Sequence, residues 1–190
     1  MSARENILNR LRAVAVDKVE KLQLAVEPIR YEDRVAHFAD TVKSVGGEVV
    51  EMQGTLTTTL ETLLGEGVNL VSTLEELQGR ALNPDSVADV HELGGDYTAV
   101  VEGRIGIAEN GAVWVPVEGC RKAHLFACQH LVIVLNRKAV VDTMHDAMAQ
   151  LSLEEVGYGA FVSGPSKTAD IEQALVMGAH GAMRATVILY

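Results

Sequence analysis

The residues best suited to chemistry lie in a segment rich in hydroxyl groups, Val162-Ser-Gly-Pro-Ser-Lys-Thr-Ala-Asp-Ile-Glu172. Gly164 allows the backbone to turn tightly and to approach a ligand. A helix predicted to follow the segment would add free backbone amides, which bind phosphate or carboxylate groups. We therefore predict an anion site here, at the carboxyl end of a parallel sheet, where open α/β sheets bind ligands. Its side-chain donors would be Ser163, Ser166, Lys167 and Thr168.

Two acidic residues, Asp170 and Glu172, end this segment. They favour the positive end of a helix dipole, and they could equally serve as acids, bases or metal ligands, so Asp170 is a ligand-binding candidate. The segment is not a Walker A motif, because Pro165 stands where a lysine should follow the second glycine. Composition alone leaves helix capping and anion binding equally open.

A second candidate is the glycine-framed turn Gly106-Ile-Ala-Glu-Asn-Gly111, next to a predicted strand. Rigid backbone would present the Glu109 carboxylate to a ligand as a nucleophile or a general base. Asn110 and Gly111 would line the same site. The alternative, which the local sequence favours, is a plain β-turn with Asn110-Gly111 at its corner. The two interpretations are compatible.

Three further residues are candidates for the site. His130 begins an apolar strand, His180 precedes the last strand, and Arg121 belongs to a small basic pair that could hold an anion. No two of the six histidines have the metalloprotease spacing, and we predict no metal site. Each histidine alone is more often structural, so a joint site with Glu109 requires the fold to bring the three together.

Hydrophobic periodicity predicts an α/β fold with a mostly parallel sheet flanked by helices. The fully apolar segment Leu131–Leu135 is typical of a parallel strand covered on both faces. We expect a helical N-terminal arm over residues 1–30 and one α/β domain over residues 31–190. Helices are predicted from Ser2 to Pro28, at 31–45, 55–64 and 137–151, and through 171–176, with strands at 48–52, 69–72, 97–101, 105–108, 112–117, 131–135, 159–162 and 186–189.

Composition excludes several classes of function. The net charge is −10, and residues 31–110 hold 15 acidic residues against 4 basic ones, so neither nucleic acid nor a membrane is an expected partner. Cys120 and Cys128 are too few for a disulfide framework, and their spacing fits no zinc or iron–sulfur motif. No apolar stretch reaches membrane-spanning length and no secretory signal is visible, so we expect a cytoplasmic protein.

The chain resembles the LUD-domain family, of the lactate-utilisation protein C type, over most of its length and most specifically in the C-terminal third. The resemblance is carried by residues 163–172, by Leu175-Val-Met-Gly-Ala-His-Gly181 and by the final strand. The Glu109 turn, Arg121 and His130 occur in the family's order. Three positions depart from the family pattern: Lys167 stands where arginine is usual, Asn110 where threonine is usual, and Ala182 where proline is usual. Lysine in place of arginine would replace a bidentate anion fork with a point charge.

This resemblance implies a fold similar to the NagB/RpiA/CoA-transferase group. It also implies a role in bacterial oxidation of L-lactate to pyruvate, beside two iron–sulfur partner proteins. The two cysteines of this chain cannot hold a cluster, so we expect no cofactor in it. Glu109-Asn110-Gly111 is also similar to the glutamate turn of CoA-transferases, in which the glutamate carries the acyl group.

Our leading hypothesis is therefore a non-cluster subunit or accessory protein of a lactate-oxidising complex. It would bind a small anionic ligand between the two loops, with Glu109 as base or nucleophile, Lys167 holding the anion and His180 assisting. One alternative is a stand-alone acyl-CoA, sugar-phosphate or folate-type enzyme of the same fold. Another is a purely structural assembly protein. Whether the chain is itself catalytic, and whether it forms a homo-oligomer, are left open.

Overall fold

A computed structural model of the chain describes residues 2–14, 27–94, 96–117, 122–151, 157–169 and 175–190. The strands among them begin and end near the predicted positions for most of the chain. They are β1 (Glu48–Glu51), β2 (Leu70–Ser72), β3 (Thr98–Gly103), β4 (Ile105–Ile107), β5 (Ala112–Pro116), β6 (His130–Leu135), β7 (Val140–Val141), β8 (Gly159–Val162), β9 (Lys167–Ala169), β10 (Leu175–Met177) and β11 (Arg184–Leu189).

The helices are short and most begin with a side-chain cap. Thr55 accepts a hydrogen bond from the backbone of Thr58, which satisfies a free amide in the first turn of the third helix. The α-helices are α1 (Ala3–Ala13), α2 (Arg34–Ser44), α3 (Leu56–Leu64), α4 (Ala123–Phe126) and α5 (Met144–Gln150). Short 3-10 helices lie at Glu75–Leu77, Pro84–Ser86, Val90–Leu93 and Arg137–Ala139.

The central sheet has five parallel strands in the order β1-β11-β6-β3-β2. Because all five run in the same direction, their first residues share one edge, which we call the amino edge, and their last residues share the carboxyl edge. Register places His130 between Thr98 and Arg184 at the amino edge, and it pairs Glu48 with Thr186. The predicted α/β class with a mostly parallel sheet is confirmed.

A second sheet, which the sequence did not indicate as separate, has the order β7-β4-β5-β8. β5 pairs antiparallel with β4 and β8, whereas β7 runs parallel to β4. One face packs with α5 through Ile107, Trp114 and Ala147. The tight β4–β5 turn carries Glu109, so this sheet positions one predicted loop.

The core lies on both faces of the central sheet. β6 shows this by alternation: Leu131, Ile133 and Leu135 join the cluster with Phe38 of α2. Its other two apolar residues, Val132 and Val134, join a separate cluster that includes Leu60 of α3. The prediction that this strand is covered on both sides is confirmed, and its position is therefore fixed at the centre of the fold.

The helix predicted over residues 137–151 is wrong in its first half. Arg137–Ala139 form a 3-10 turn and Val140–Val141 form β7, so the helix begins only at Met144. Both valines are buried against β4, and β-branched residues suit a strand better than a helix. Met148, on the helix that does form, is 49% exposed.

The helix predicted through residues 171–176 is also contradicted where the structure describes it. Leu175–Met177 form β10, which pairs antiparallel with β9. Residues 170–174 lie outside the described part of the chain. Leu175, Val176 and Met177 are exposed on this hairpin, so their apolar spacing does not mark a buried helical face.

The N-terminal helix begins as predicted. Ser2 and Glu5 form a capping box at the start of α1, and residues 15–26 lie outside the described part of the chain. No residue of α1 is buried. The division into an arm over residues 1–30 and a domain over 31–190 stays a prediction. Within the described residues, no helix has both the length and the apolar character needed to cross a membrane.

Candidate functional site

The Glu109 turn is a tight, side-chain-supported turn against α2. Asn110 Oδ1 accepts a hydrogen bond from the Ala112 N–H at 3.0 Å, which closes the turn. Gly111 has φ +64°, and a Cβ there would lie 2.9 Å from the backbone nitrogen of Val42. Glycine is therefore required at position 111 for two reasons: its positive φ and the close approach of α2. A turn is present at the predicted position, but it spans Ala108 to Gly111 and its Gly111 N–H donates to the Ile107 carbonyl at 2.9 Å, so Asn110-Gly111 is not a two-residue corner.

The Glu109 carboxylate is directed to the start of α5. The Met144 N–H donates to Glu109 Oε2 at 2.9 Å, and the Glu109 N–H donates to the Asp142 carbonyl at 3.0 Å. A negative charge is favoured at this helix end. Glu109 also lines a cavity of about 580 Å³ with Ile29 and His145. Its predicted role as base or nucleophile stays a prediction.

The segment after β8 contacts this turn and the end of α2. The Ser163 hydroxyl donates to the Asn110 carbonyl at 2.8 Å, so the two predicted loops do meet. Gly164 has φ +69°, and a Cβ there would lie 2.6 Å from the Val45 carbonyl oxygen. Lys167 Nζ donates to that same carbonyl. The lysine charge thus lies at the negative end of a helix.

The predicted location of this segment is wrong with respect to the central sheet. It follows β8, which belongs to the second sheet, and it meets the central sheet at the amino edge. There the Ser166 N–H donates to the Ala182 carbonyl at 2.8 Å, just before β11. Thr168 pairs with Val176 in the β9–β10 hairpin rather than lying in a loop.

His180 lies at the same edge. It is exposed and lines a cavity of about 450 Å³ with Cys128 and Gln129. Burial raises the pKa of the Cys128 thiol to about 11, so this thiol stays protonated at neutral pH. Arg121 and Asp170, the remaining candidates, lie outside the described part of the chain.

A connected group of polar side chains lies around His130. The side chain is 6% exposed, and its Nε2 is 2.8 Å from the Thr186 hydroxyl. That hydroxyl donates to Glu48 Oε2 at 3.3 Å. Arg184 Nη2 forms an ion pair with the same carboxylate oxygen at 3.2 Å. Three neighbouring strands, β6, β11 and β1, therefore supply one hydrogen-bonded chain.

Electrostatics keep this imidazole neutral. Burial, and to a smaller extent the nearby Arg184 charge, lower the pKa of His130 to about 4. The Glu48 carboxylate opposes the shift without cancelling it. At neutral pH the ring therefore has one N–H and one lone pair, and it can exchange a hydrogen bond with a ligand without carrying charge.

A cavity of about 550 Å³ opens beside His130, within the range of small-molecule sites. We call it the amino-edge cavity. It borders the His180 cavity, because Gln129 and Met183 line both. Its polar lining is Asn69, Asp96, Tyr97, Thr98, His130 and Arg184. Among the residues that the structure describes, no three His, Cys, Asp or Glu side chains come together to hold a metal ion.

Sequence reasoning selected His130 but missed Glu48, Thr186 and Arg184. Arg184 begins β11 just as His130 begins β6, and the two are register partners in parallel strands. A polar residue at the first position of each of two apolar strands was the available signal. It becomes decisive only when the strands are known to be neighbours.

Comparison with known proteins agrees with this architecture. The model of the LUD domain matches residues 97–190, which include β3 to β11 and both predicted loops. The chain belongs to the LUD-domain family. The match contains His130, Arg184 and Thr186, whereas Glu48 lies before it. The LUD-domain resemblance inferred from the sequence is confirmed.

Two curated relatives carry the name lactate utilization protein C. The protein from Bacillus pumilus is 34% identical over 100 residues, which cover 50% of this chain and 39% of that protein. The protein from Geobacillus thermodenitrificans is 36% identical over 94 residues, which cover 45% of this chain and 38% of that protein. The aligned part thus spans about two fifths of the length of the relatives that it matches.

A solved structure has the same fold. It is a DUF162 family protein from Deinococcus radiodurans, with a TM-score of 0.64 and 15% sequence identity. The superposition covers 85% of this chain and 99% of that protein. At this identity the similarity supports the fold alone.

Proposed function

We propose that this LUD-domain chain acts in lactate utilisation by binding a small 2-hydroxy or 2-oxo carboxylic acid in the amino-edge cavity. The observation that carries the proposal is the pairing of His130 with Arg184 on adjacent strands, both lining one cavity. The shared name of the two curated relatives supports lactate as the acid to test first.

The two side chains match the two ends of such an acid. Arginine presents planar N–H donors that suit a carboxylate. In the described structure only Nη2 of Arg184 contacts Glu48, at 3.2 and 3.5 Å, so Nε and Nη1 are free to face a ligand. His130, in the next strand, would then contact the oxygen at the 2-position.

The cavity is larger than a three-carbon acid requires. Leu63, Leu64, Val68 and Met183 form an apolar part of its wall. An acid with a longer alkyl chain would therefore gain affinity, by up to about 0.8 kcal/mol or fourfold for each CH₂ group fully removed from water. A series of straight-chain 2-hydroxy acids compared with lactate measures this directly. An affinity that falls with chain length would place the acid elsewhere.

Electron transfer requires partners in this proposal. Oxidation of lactate to pyruvate releases two electrons and two protons, and iron–sulfur proteins are the proposed electron acceptors. The two cysteines of this chain are fewer than the four thiolates that a typical cluster needs. Purification of the tagged chain from cells grown on lactate, followed by iron analysis of stoichiometric partners, tests this part. Partners without iron would contradict it.

Isothermal titration calorimetry with L-lactate and with pyruvate tests the site itself. Arg184→Gln is expected to weaken binding at least tenfold, because hydrogen bonds to a charged group contribute about 1.5–3 kcal/mol. Arg137→Gln is the matched control, since Arg137 pairs with Glu51 at the carboxyl edge of β1 and is similarly exposed. No heat with either acid, or equal losses in both variants, would contradict the proposal.

Asp96 provides a second test of the same site. It lines the cavity, and its negative charge would repel a bound anion. Asp96→Asn is therefore expected to tighten acid binding by up to about fivefold. The gain should shrink in high salt, because an exposed charge is screened. Weaker binding of lactate and pyruvate in this variant would indicate that the ligand does not meet the carboxylate in this cavity.

A further inference from the structure

We infer that the amino-edge cavity discriminates between the two redox forms of its ligand, and that it binds the 2-hydroxy acid in preference to the 2-oxo acid. The inference rests on the proposed function above. It comes from the direction of the hydrogen bonds in the chain Glu48–Thr186–His130, which determines what His130 presents to a ligand.

The direction follows from counting protons. An ionised carboxylate only accepts hydrogen bonds, so the single proton of the Thr186 hydroxyl points to Glu48. Arg184 forms an ion pair with the same carboxylate oxygen. The short 2.8 Å contact from Thr186 to His130 Nε2 must then use a proton on the ring. His130 is therefore protonated at Nε2, and its Nδ1 carries a lone pair.

That lone pair is accessible. Within the described residues, no side chain or backbone group is hydrogen-bonded to His130 Nδ1, and no buried side-chain nitrogen or oxygen is left without a partner. Nδ1 is consequently not fully enclosed by protein, and His130 lines the amino-edge cavity. The imidazole offers a ligand an acceptor and no donor there.

A hydroxyl and a ketone respond to this acceptor in opposite ways. The 2-hydroxyl of lactate has a proton to donate to Nδ1, whereas the 2-oxo group of pyruvate has only lone pairs. Two acceptors facing each other leave both without a partner, which is unfavourable in a partly desolvated site. The carboxylate contact with Arg184 is the same for both acids, so the difference arises at His130.

Competition calorimetry with L-lactate and pyruvate on the full chain is the first test. We expect the dissociation constant of pyruvate to be at least about tenfold higher than that of lactate. If both acids bind with equal affinity, or pyruvate binds more tightly, the inference fails while the proposed function stands. If neither acid binds, the proposed function fails and the inference falls with it.

Thr186→Val tests the positioning role of the hydroxyl. Valine has nearly the same shape, but it neither accepts the Nε2 proton nor binds Glu48, so the ring proton is free to move to Nδ1. The preference for lactate should shrink to less than about threefold, and Thr186→Ser should restore it. An unchanged preference in the folded Thr186→Val protein would overturn the inference. Circular dichroism establishes that both variants fold.

Nitrogen-15 NMR of the imidazole tests the proton position in the unmutated protein. Protonated and unprotonated ring nitrogens have distinct chemical shifts, so the spectrum identifies the tautomer of His130 directly. A neutral ring with the proton on Nε2 supports the inference. A proton on Nδ1, or on both nitrogens at neutral pH, would overturn it whatever the affinities are.

Discussion

Acidification should destabilise this protein largely through His130. The folded state lowers the pKa of this imidazole to about 4, from an ordinary value of 6.5. As the pH falls below 6.5 the unfolded chain takes up the proton and the folded chain does not. The stabilisation that comes from keeping this ring neutral in the folded state is therefore fully present above about pH 6.5. It is progressively lost as the pH falls towards 4.

The size of the loss follows from the two pKa values. Proton linkage gives about 2 kcal/mol lost at pH 5 and about 3 kcal/mol at pH 4, relative to neutral pH. This is a large part of the total stability of about 5–15 kcal/mol that is usual for a domain. The cause is burial first, since the ring is 6% exposed, with the Arg184 charge second.

Urea unfolding of the wild type and of His130→Gln, at about pH 7, 6, 5 and 4, isolates the contribution of His130 titration to the free energy of unfolding. Glutamine can still donate to Thr186 but does not titrate, so every other group cancels in the difference between the two proteins. We expect the variant to be the less stable protein at pH 7. The difference in the free energy of unfolding between the two proteins should narrow by about 3 kcal/mol at pH 4. A difference in the free energy of unfolding that does not change with pH would refute the assignment of a buried, neutral imidazole.

Three further perturbations test the fold around the site. Gly111→Ala should cost about 2–3 kcal/mol in urea unfolding, against about 1 kcal/mol for Gly67→Ala, because both have positive φ but only Gly111 lies against α2; equal costs would contradict the contact. Arg30→Gln should raise the pKa of Asp146 from about 2 towards 3.8 in an NMR titration, since the Arg30 hydrogen bond is the main cause of the lowering; an unmoved pKa would exclude that pair. Phe38→Ala should cost about 3–5 kcal/mol, because the ring is fully buried in the main core; a loss below about 1 kcal/mol would show that the ring is not in the core.

Elements with a strong local signal were predictable from the sequence. The apolar segment Leu131–Leu135 is a central parallel strand, as its composition indicates. The capping box at Ser2 and Glu5 also forms as its spacing predicts. In both cases the information lies within a few residues, so no knowledge of distant contacts is needed.

Elements decided by distant pairing were mispredicted. Val140 and Val141 fit a helical pattern in the sequence, yet β4, more than thirty residues earlier, holds them as a strand. Leu175 and Val176 pair with β9 in a hairpin instead of forming a helix. Apolar spacing over a short window is compatible with both structures, and the tertiary pairing selects one of them.

The candidate site also depends on contacts between residues that are distant in the sequence. The sequence singled out His130 as a ligand-binding candidate, but its hydrogen-bond partner Thr186 lies 56 residues away. Glu48, which completes the chain of hydrogen bonds, lies 138 residues from Thr186. The predicted location at the carboxyl end of the central sheet was wrong, because β8 belongs to the second sheet and the segment after it continues into the β9–β10 hairpin.

The two ends of strand β1 allow a structural ion pair to be compared with an ion pair at a proposed ligand site. It has an exposed glutamate–arginine pair at each end, Glu48 with Arg184 and Glu51 with Arg137. Exposed pairs contribute only about 0–1 kcal/mol, so stability alone does not explain either arrangement. Of these two pairs, only the Glu48 pair is connected through Thr186 to a buried histidine, and its arginine lines a cavity with that histidine. A ligand role is therefore expected to depend on the amino-edge arginine, while the two arginines contribute equally to stability.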